Sequence, residues 1–149
     1  MLTFKCVSFD GLSNQELYEL LKLRAEVFVV EQNCVYLDLD GKDQHGHHLL
    51  GLDSQRQLLA YARLLPKGAS YPDYASIGRV VTAASLRGSG AGKALMQYAL
   101  ERASAMYENT ALKISAQAHL EPFYRELGFL PQGEGYLEDG IPHLAMVRE

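Results

Sequence analysis

The segment Arg87-Gly88-Ser89-Gly90-Ala91-Gly92-Lys93 has the residue types and spacing best suited to holding an anion. A glycine-rich bend lets successive backbone N–H groups approach a charged oxygen closely, and a helix beginning there adds about half a positive charge. A phosphate or pyrophosphate cradle is one reading; the plainer one is a glycine-rich turn that only starts a helix. Two familiar phosphate loops are excluded by inspection. The position five before Gly92 is Arg87 rather than glycine, and Lys93 is followed by Ala94 rather than a hydroxyl for magnesium, so this is not a P-loop. The glycines at 88, 90 and 92 also miss the G-x-G-x-x-G spacing, and no βαβ unit with an acidic residue on its second strand follows.

The remaining polar clusters are weaker. Asp43, His45, His47 and His48 include metal-binding types, but H-x-H-H lacks a standard zinc spacing and a polar loop entering a strand accounts for it, so no metal is expected. Asp38-Leu39-Asp40-Gly41 begins like a calcium loop, yet its glycine comes at the fourth position rather than the sixth and no glutamate stands at the twelfth. It reads as a turn. Cys6 and Cys34 have neither metal-ligand nor CxxC spacing, which favours reduced thiols in a cytoplasmic protein.

These residues need elements to position them. The glycine segment follows a strand over Ala75–Thr82 and opens a long helix on which Ala91, Ala94, Leu95, Tyr98 and Ala99 form one stripe. Residues 1–9 read as an opening strand that ends in the turn signal Asp10-Gly11. Ser13 and Glu16 have the spacing of a capping box, Leu12 can staple onto Leu17, and Leu17, Leu20, Leu21 and Phe28 predict a helix to about Val30. Residues 48–53 and 57–65 predict a β-hairpin around Ser54-Gln55-Arg56. Leu112, Ile114 and Ala116 alternate as a strand, and a short helix opens near Pro122 and closes at Gly128. Strands over 129–136 and 143–148 end a mixed α/β pattern, β-α-β-β-β-α-β-α-β-β, whose loosest loops are 38–46 and 66–73.

Composition sets the outer bounds. A chain of 149 residues suits one compact domain, and 48% hydrophobic against 21% charged residues excludes disorder. A net charge of -4 has the wrong sign for a nucleic-acid partner. No basic leader precedes an apolar stretch and no run approaches the ~18 apolar residues of a membrane span, so neither export nor insertion is expected.

Between its strand and helix, Arg87-Gly88-Ser89-Gly90-Ala91-Gly92 fits the pattern [QR]-x-x-G-x-[GA] and resembles the acetyl-CoA-binding motif of the GCN5-related N-acetyltransferase (GNAT) family. Phe123-Tyr124-Arg125-Glu126-Leu127-Gly128-Phe129 looks like the family's F-Y-x-x-x-G-F segment, downstream and in the right order. Residues 23–33, Ala116-Gln117-Ala118-His119-Leu120 and Asp139-Gly140-Ile141-Pro142-His143 resemble its ElaA subgroup, so the likeness spans essentially the whole chain. It implies the GNAT α/β (α+β) fold, a mixed, mostly antiparallel twisted sheet flanked by helices and opened beside the cofactor strand. It further implies acetyl-CoA as cosubstrate, with Val80, Val81 and Thr82 along the pantetheine arm. Arg87 and the run Gly88, Ser89, Gly90, Ala91, Gly92 and Lys93 would hold the pyrophosphate. Gln117 stands where many members carry a cofactor-contacting asparagine, and Ala84 where proline is frequent.

The implied reaction is acetyl transfer to a primary amine of a small molecule, peptide or protein; the alternative is a non-catalytic acyl-CoA-binding regulatory or interaction module. Longer acyl-CoA thioesters are a rival donor. A backbone N–H of the 80–82 strand would polarise the carbonyl, a contribution of roughly 3 kcal/mol. Tyr124 is the expected acid and a cofactor contact, since a phenol with a reference pKa of about 10 stays protonated at neutral pH; the other reading packs its ring and bonds cofactor or solvent without acid chemistry. Glu26, Glu31, Asp38, Asp40, Asp43, His48 and His143 are all conceivable bases, with Glu31 favoured for its position at the end of the first helix. His143 either lines the acceptor site or is structural. The acidic balance is compatible with cationic acceptors such as polyamines, aminoglycosides or lysine side chains. By resemblance alone, a homodimer through the late strands is in keeping with the family.

Overall fold

The computed structural model describes all residues, Met1–Glu149. Strand β1 (Thr3–Ser8) leads through a tight turn into helix α1 (Asn14–Arg24). The predicted capping box fixes the start of that helix: Ser13 Oγ accepts the Glu16 N–H at 3.0 Å, and Glu16 Oε1 accepts the Ser13 N–H at 2.9 Å. Helical structure continues to Glu31, close to the predicted end, but residues Ala25–Glu31 widen into a π-helical turn. Leu20, Leu23 and Val27 are buried against Leu50, Tyr61 and Val81 on one face of the sheet, with Leu12, Leu17, Leu21 and Phe28 at the margin.

Strands β2 (His47–Leu52) and β3 (Leu58–Leu65) form the predicted antiparallel hairpin. Its turn is held by the Asp53 carboxylate, which accepts the N–H groups of Gln55 and Gln57 at 2.9 and 2.8 Å. Strand β4 (Ala75–Thr82), helix α2 (Ala91–Met106) and strand β5 (Leu112–Gln117) follow, then helix α3 (Glu121–Glu126) and strands β6 (Leu130–Pro131), β7 (Tyr136–Glu138) and β8 (Ile141–Arg148). The eight strands make one sheet in the order β1-β2-β3-β4-β5-β8-β6, with β7 also on β8. Every pairing is antiparallel except β4 with β5. The second and larger core lies on the opposite face from α1, where Leu95, Met96, Ala99 and Ala103 of α2 pack with Leu49, Ala62, Ile77, Ile114 and Phe129.

Four expectations are corrected. The buried stripe of α2 is rotated: Met96 and Ala103 face the sheet and Ala94 is exposed, because the long thioether rather than a methyl fills the space above the strands. The single strand over 129–136 is two short ones, since Gly133 turns the backbone to φ +81 between them. The last strand starts at Ile141, before position 143, because Asp139 at φ +51 and Gly140 at φ +78 form a two-residue hairpin turn opposing Glu138 to Ile141. Loop 38–46 is not loose: Asp38 and Asp43 are buried in an ionic network.

The feature that makes room for a site is the parting of β4 from β5. They pair only at Ala75 with Leu112 and Ser76 with Lys113, although both run on, to Thr82 and Gln117. A β-bulge drives β4 aside. Tyr61 of β3 opposes Val81 while Arg63 opposes Gly78, so β4 holds one extra residue there, and Arg79 sits at φ +50.

Candidate active site

A cleft of about 710 Å³ fills the gap, lined by residues of β4 and β5, the π-helical turn, α3 and the β7–β8 hairpin. Beyond Ser76 the β5-facing edge of β4 has no strand partner, so the backbone groups of Val80, Val81 and Thr82 border the cleft on a free edge. Val81 buries its side chain under α1 and Val80 packs toward α2, so the strand is held from both faces.

At the far end of β4 the chain makes a 3-10 turn, Ala84–Leu86, and enters the glycine segment. Gly88 and Gly90 take φ +79 and +83, and no atom lies within 4 Å of where a Cβ would stand at either. Ser89 Oγ donates to the Leu86 carbonyl and accepts the Ala91 N–H at 3.3 Å. The N–H groups of Gly88, Gly90, Gly92 and Lys93 take part in no hydrogen bond within the chain, and α2 starts without a side-chain cap. Unpartnered donors at a helix N-terminus fit a pyrophosphate. Arg87 is not idle at this point; its guanidinium pairs with Glu31.

Tyr124 enters the cleft from α3, which begins with Pro122 in its first turn and ends before Gly128 at φ +93. Its ring stands edge-on to Phe123 and Phe129, with centroids 5.1 and 6.0 Å away, and the residue is 7% exposed. Burial pushes its pKa up to about 12, so the phenol is a firm proton holder at neutral pH. Gln117, at the end of β5, reaches Gln32 of the π-helical turn with Nε2 to Oε1 at 3.4 Å.

The candidate bases separate cleanly. Asp38, Asp40 and Asp43 belong to a network of arginines that the sequence did not reveal. Arg24, 0% exposed, contacts Asp38 and Asp43, each at 2.7 Å. Arg63 contacts Asp40 at 2.8 Å and Asp43 at 2.9 Å, and Arg79 in the bulge contacts Asp38 at 2.8 Å. Burial alone would raise the carboxyl pKa of Asp40 and Asp43, but hydrogen bonds from Arg63 and Arg24 outweigh it and hold both below the usual range. They are structural anions. His48 is fully buried with both nitrogens committed, Nδ1 to the Tyr61 hydroxyl at 2.7 Å and Nε2 to the Asp43 carbonyl at 2.9 Å. Burial lowers its pKa and keeps it neutral. Glu26 lies outside the cleft beside Lys22, and Glu31 lines the cleft but answers to Arg87. His143 lines the cleft as well.

Around His143 lies a cluster that the sequence did not disclose: Ser115, Tyr136 and Glu138. The Tyr136 hydroxyl and Ser115 Oγ are 2.5 Å apart, Ser115 donates to Glu138 Oε1 at 3.2 Å, and Glu138 Oε2 is 3.4 Å from His143 Nε2. Two signals could have found them. The alternation of β5 turns Ser115 away from Ile114 and Ala116, and the Asp139-Gly140 turn sets Glu138 opposite Ile141 and Tyr136 opposite His143. Arg79 had no such signal, because a bulge is decided by the neighbouring strand.

Comparison with known proteins agrees with this geometry. Residues 13–149 match the acetyltransferase (GNAT) domain family. The chain is 44% identical to protein ElaA of Escherichia coli K12, covering 100% of this chain and 97% of that one. It is similar to the solved structure of an acyl-CoA N-acyltransferase from Pseudomonas aeruginosa, with a TM-score of 0.94, 44% identity and 100% of both chains covered. The Escherichia coli ElaA crystal structure superposes with a TM-score of 0.93 at 42% identity, again over 100% of both chains. A family match over nearly the whole length, full-length relatives and an acyl-CoA N-acyltransferase fold with its sheet opened at β4 together assign the chain to the GNAT acetyltransferase family.

Proposed function

We propose that this protein is an N-acetyltransferase that moves the acetyl group of acetyl-CoA directly to a primary amine of a small molecule or peptide. The observation that carries this reading is the free edge of β4 leading to a glycine segment with four unpartnered N–H groups, those of Gly88, Gly90, Gly92 and Lys93. An extended amide-bearing arm needs the first and a pyrophosphate needs the second. Acetyl-CoA as substrate supplies the acyl carbon and the thiol leaving group. Val80, Val81 and Thr82 offer backbone groups to the pantetheine amides, and a β4 N–H polarises the thioester carbonyl. Gly88, Ser89, Gly90, Ala91, Gly92 and Lys93 bind the pyrophosphate with Arg87 at the rim, and Gln117 borders the arm from β5. Tyr124 gives its proton to the departing sulfur.

Calorimetric titration with acetyl-CoA tests the reading. Micromolar binding is expected for the wild type and loss of it for an Arg87→Glu, Gly90→Asp variant, which puts negative charge into the cradle. Absence of binding to folded wild type would defeat the proposal. Thiol release with an amine separates an enzyme from a non-catalytic acyl-CoA-binding module, and competition among acyl-CoAs reads the chain-length preference.

A further inference from the structure

We propose that His143 is the base that takes a proton from the incoming amine, with Glu138 accepting the Nε2–H of the imidazolium it becomes, so the site takes an amine that arrives as an ammonium ion. This rests on the acyl-transfer reading above and deepens it by assigning the proton acceptor. A carbonyl oxygen can only accept, so the 2.7 Å contact of His143 Nδ1 with the Ile141 carbonyl puts the proton on Nδ1. The neutral ring then keeps its lone pair on Nε2, the atom that stands 3.4 Å from Glu138 Oε2. Glu138 is itself oriented, because its other oxygen accepts from Ser115 and the Tyr136 hydroxyl supports Ser115 in turn. The Tyr136 ring stacks on His143 at 24° with centroids 6.2 Å apart. This chain of donors leaves one nitrogen unclaimed by any donor, and His143, although 7% exposed, lines the cleft.

Other charges at this end are spoken for. Arg79 of β4 is held by Asp38 and Asp40, and Glu31 of the π-helical turn is held by Arg87. Asp139, the Tyr36 phenol, His119 and the Cys34 thiol, which donates to the Asp139 carbonyl at 3.4 Å, are other titratable groups lining this cleft. Glu138 is therefore the charge that His143 meets directly, with Oε2 3.4 Å from Nε2.

The protons balance as follows. His143 Nε2 takes one proton from the ammonium, and the freed nitrogen lone pair forms the C–N bond as the C–S bond breaks. Tyr124 protonates the sulfur and recovers a proton from the nitrogen, while His143 releases its own to solvent. Ammonium plus thioester thus becomes amide, thiol and one proton.

Wild type, His143→Gln and Glu138→Gln are compared with two probes, benzylamine, an ammonium ion at neutral pH, and aniline, which is already neutral. Calorimetry with acetyl-CoA accompanies the kinetics, and histidine nitrogen NMR is recorded on the free wild type. Expected for His143→Gln are acetyl-CoA affinity within about twofold of wild type and a loss of about 10²-fold with benzylamine at pH 7. That loss shrinks as the pH approaches the amine's own pKa, and with aniline it is under about threefold. Glu138→Gln falls between. NMR is expected to show a proton on Nδ1 and a bare Nε2 that shifts when benzylamine is added. Equal losses with both amines, or a neutral ring protonated on Nε2, would overturn the proposal, and the NMR result decides it alone if neither amine is acetylated. Failure of the wild type to bind acetyl-CoA would sink the acyltransferase reading instead.

Discussion

At the scale of single residues, the two groups proposed for opposite proton transfers differ in surroundings. Tyr124 is kept neutral by apolar surroundings, with burial pushing its pKa up to about 12, whereas His143 keeps an open nitrogen because a backbone carbonyl occupies the other. Replacing Tyr124 with Phe is expected to lower kcat by about 10²-fold with little change in acetyl-CoA affinity, read by steady-state kinetics beside calorimetry. The same residue makes a stability prediction. Its folded-state pKa lies above the ordinary value near 10, so its contribution is complete below pH 10 and is lost as the pH rises through about 12. Alkaline unfolding should therefore be less steep in the Phe variant, by up to roughly 2–3 kcal/mol between those limits. Tyr124 was legible because its neighbours form a family pattern. Glu138 could be found only through the Asp139-Gly140 turn, since a lone glutamate does not by itself say that a histidine from the next strand lies near it.

At the scale of elements, local rules set the starts and stops well. The Ser13 and Glu16 box holds α1 as read, and Glu16 also pairs with Lys5 of β1, so the cap ties the first two elements together. Ser13→Ala is expected to cost about 1 kcal/mol, seen as a lower urea midpoint with an unchanged slope. The β7–β8 turn is more consequential. Gly140 sits at φ +78, where a branched side chain is strained, so Gly140→Val should lose about 1–2 kcal/mol of stability. Because this turn sets the register opposing Tyr136 to His143, amine turnover should fall in the same variant while acetyl-CoA affinity holds. Kinetics and calorimetry on one preparation separate the two effects. The 129–136 strand failed as a reading because periodicity does not register the left-handed backbone of Gly133, which turns the chain between β6 and β7.

At the scale of the whole molecule, the arginine–aspartate network joins α1, the 38–43 loop, β3 and the bulged β4, and so braces one wall of the cleft. Arg24→Met leaves Asp38 and Asp43 buried without a main partner and is expected to cost about 3–5 kcal/mol in chemical denaturation. Acid should act through the same network. Asp40 and Asp43 have folded pKa values below the ordinary carboxylate range, so their contribution is present above about pH 4 and disappears as the pH falls further. An Asp40→Asn variant should start less stable at pH 7 and show a shallower acid transition, followed by circular dichroism. The tertiary arrangement also removes three carboxylates from the list of bases, something their positions along the chain never suggested.

By itself the sequence determined the element order as far as α3, the Ser13 cap of α1, the β2–β3 hairpin, the glycine-rich bend before α2 and the family pattern around Tyr124, because each depends on residues within a few positions of one another. Only the tertiary structure decided that β4 bulges at Arg79 and leaves β5 after Ser76, that Arg24 is an interior cation, and that Ser115, Tyr136, Glu138 and His143 meet on one sheet face. Those outcomes turn on strand register and on burying charges in mutual contact. Both depend on groups far apart in the chain, whose energies exist only once the sheet has brought them within a few ångströms.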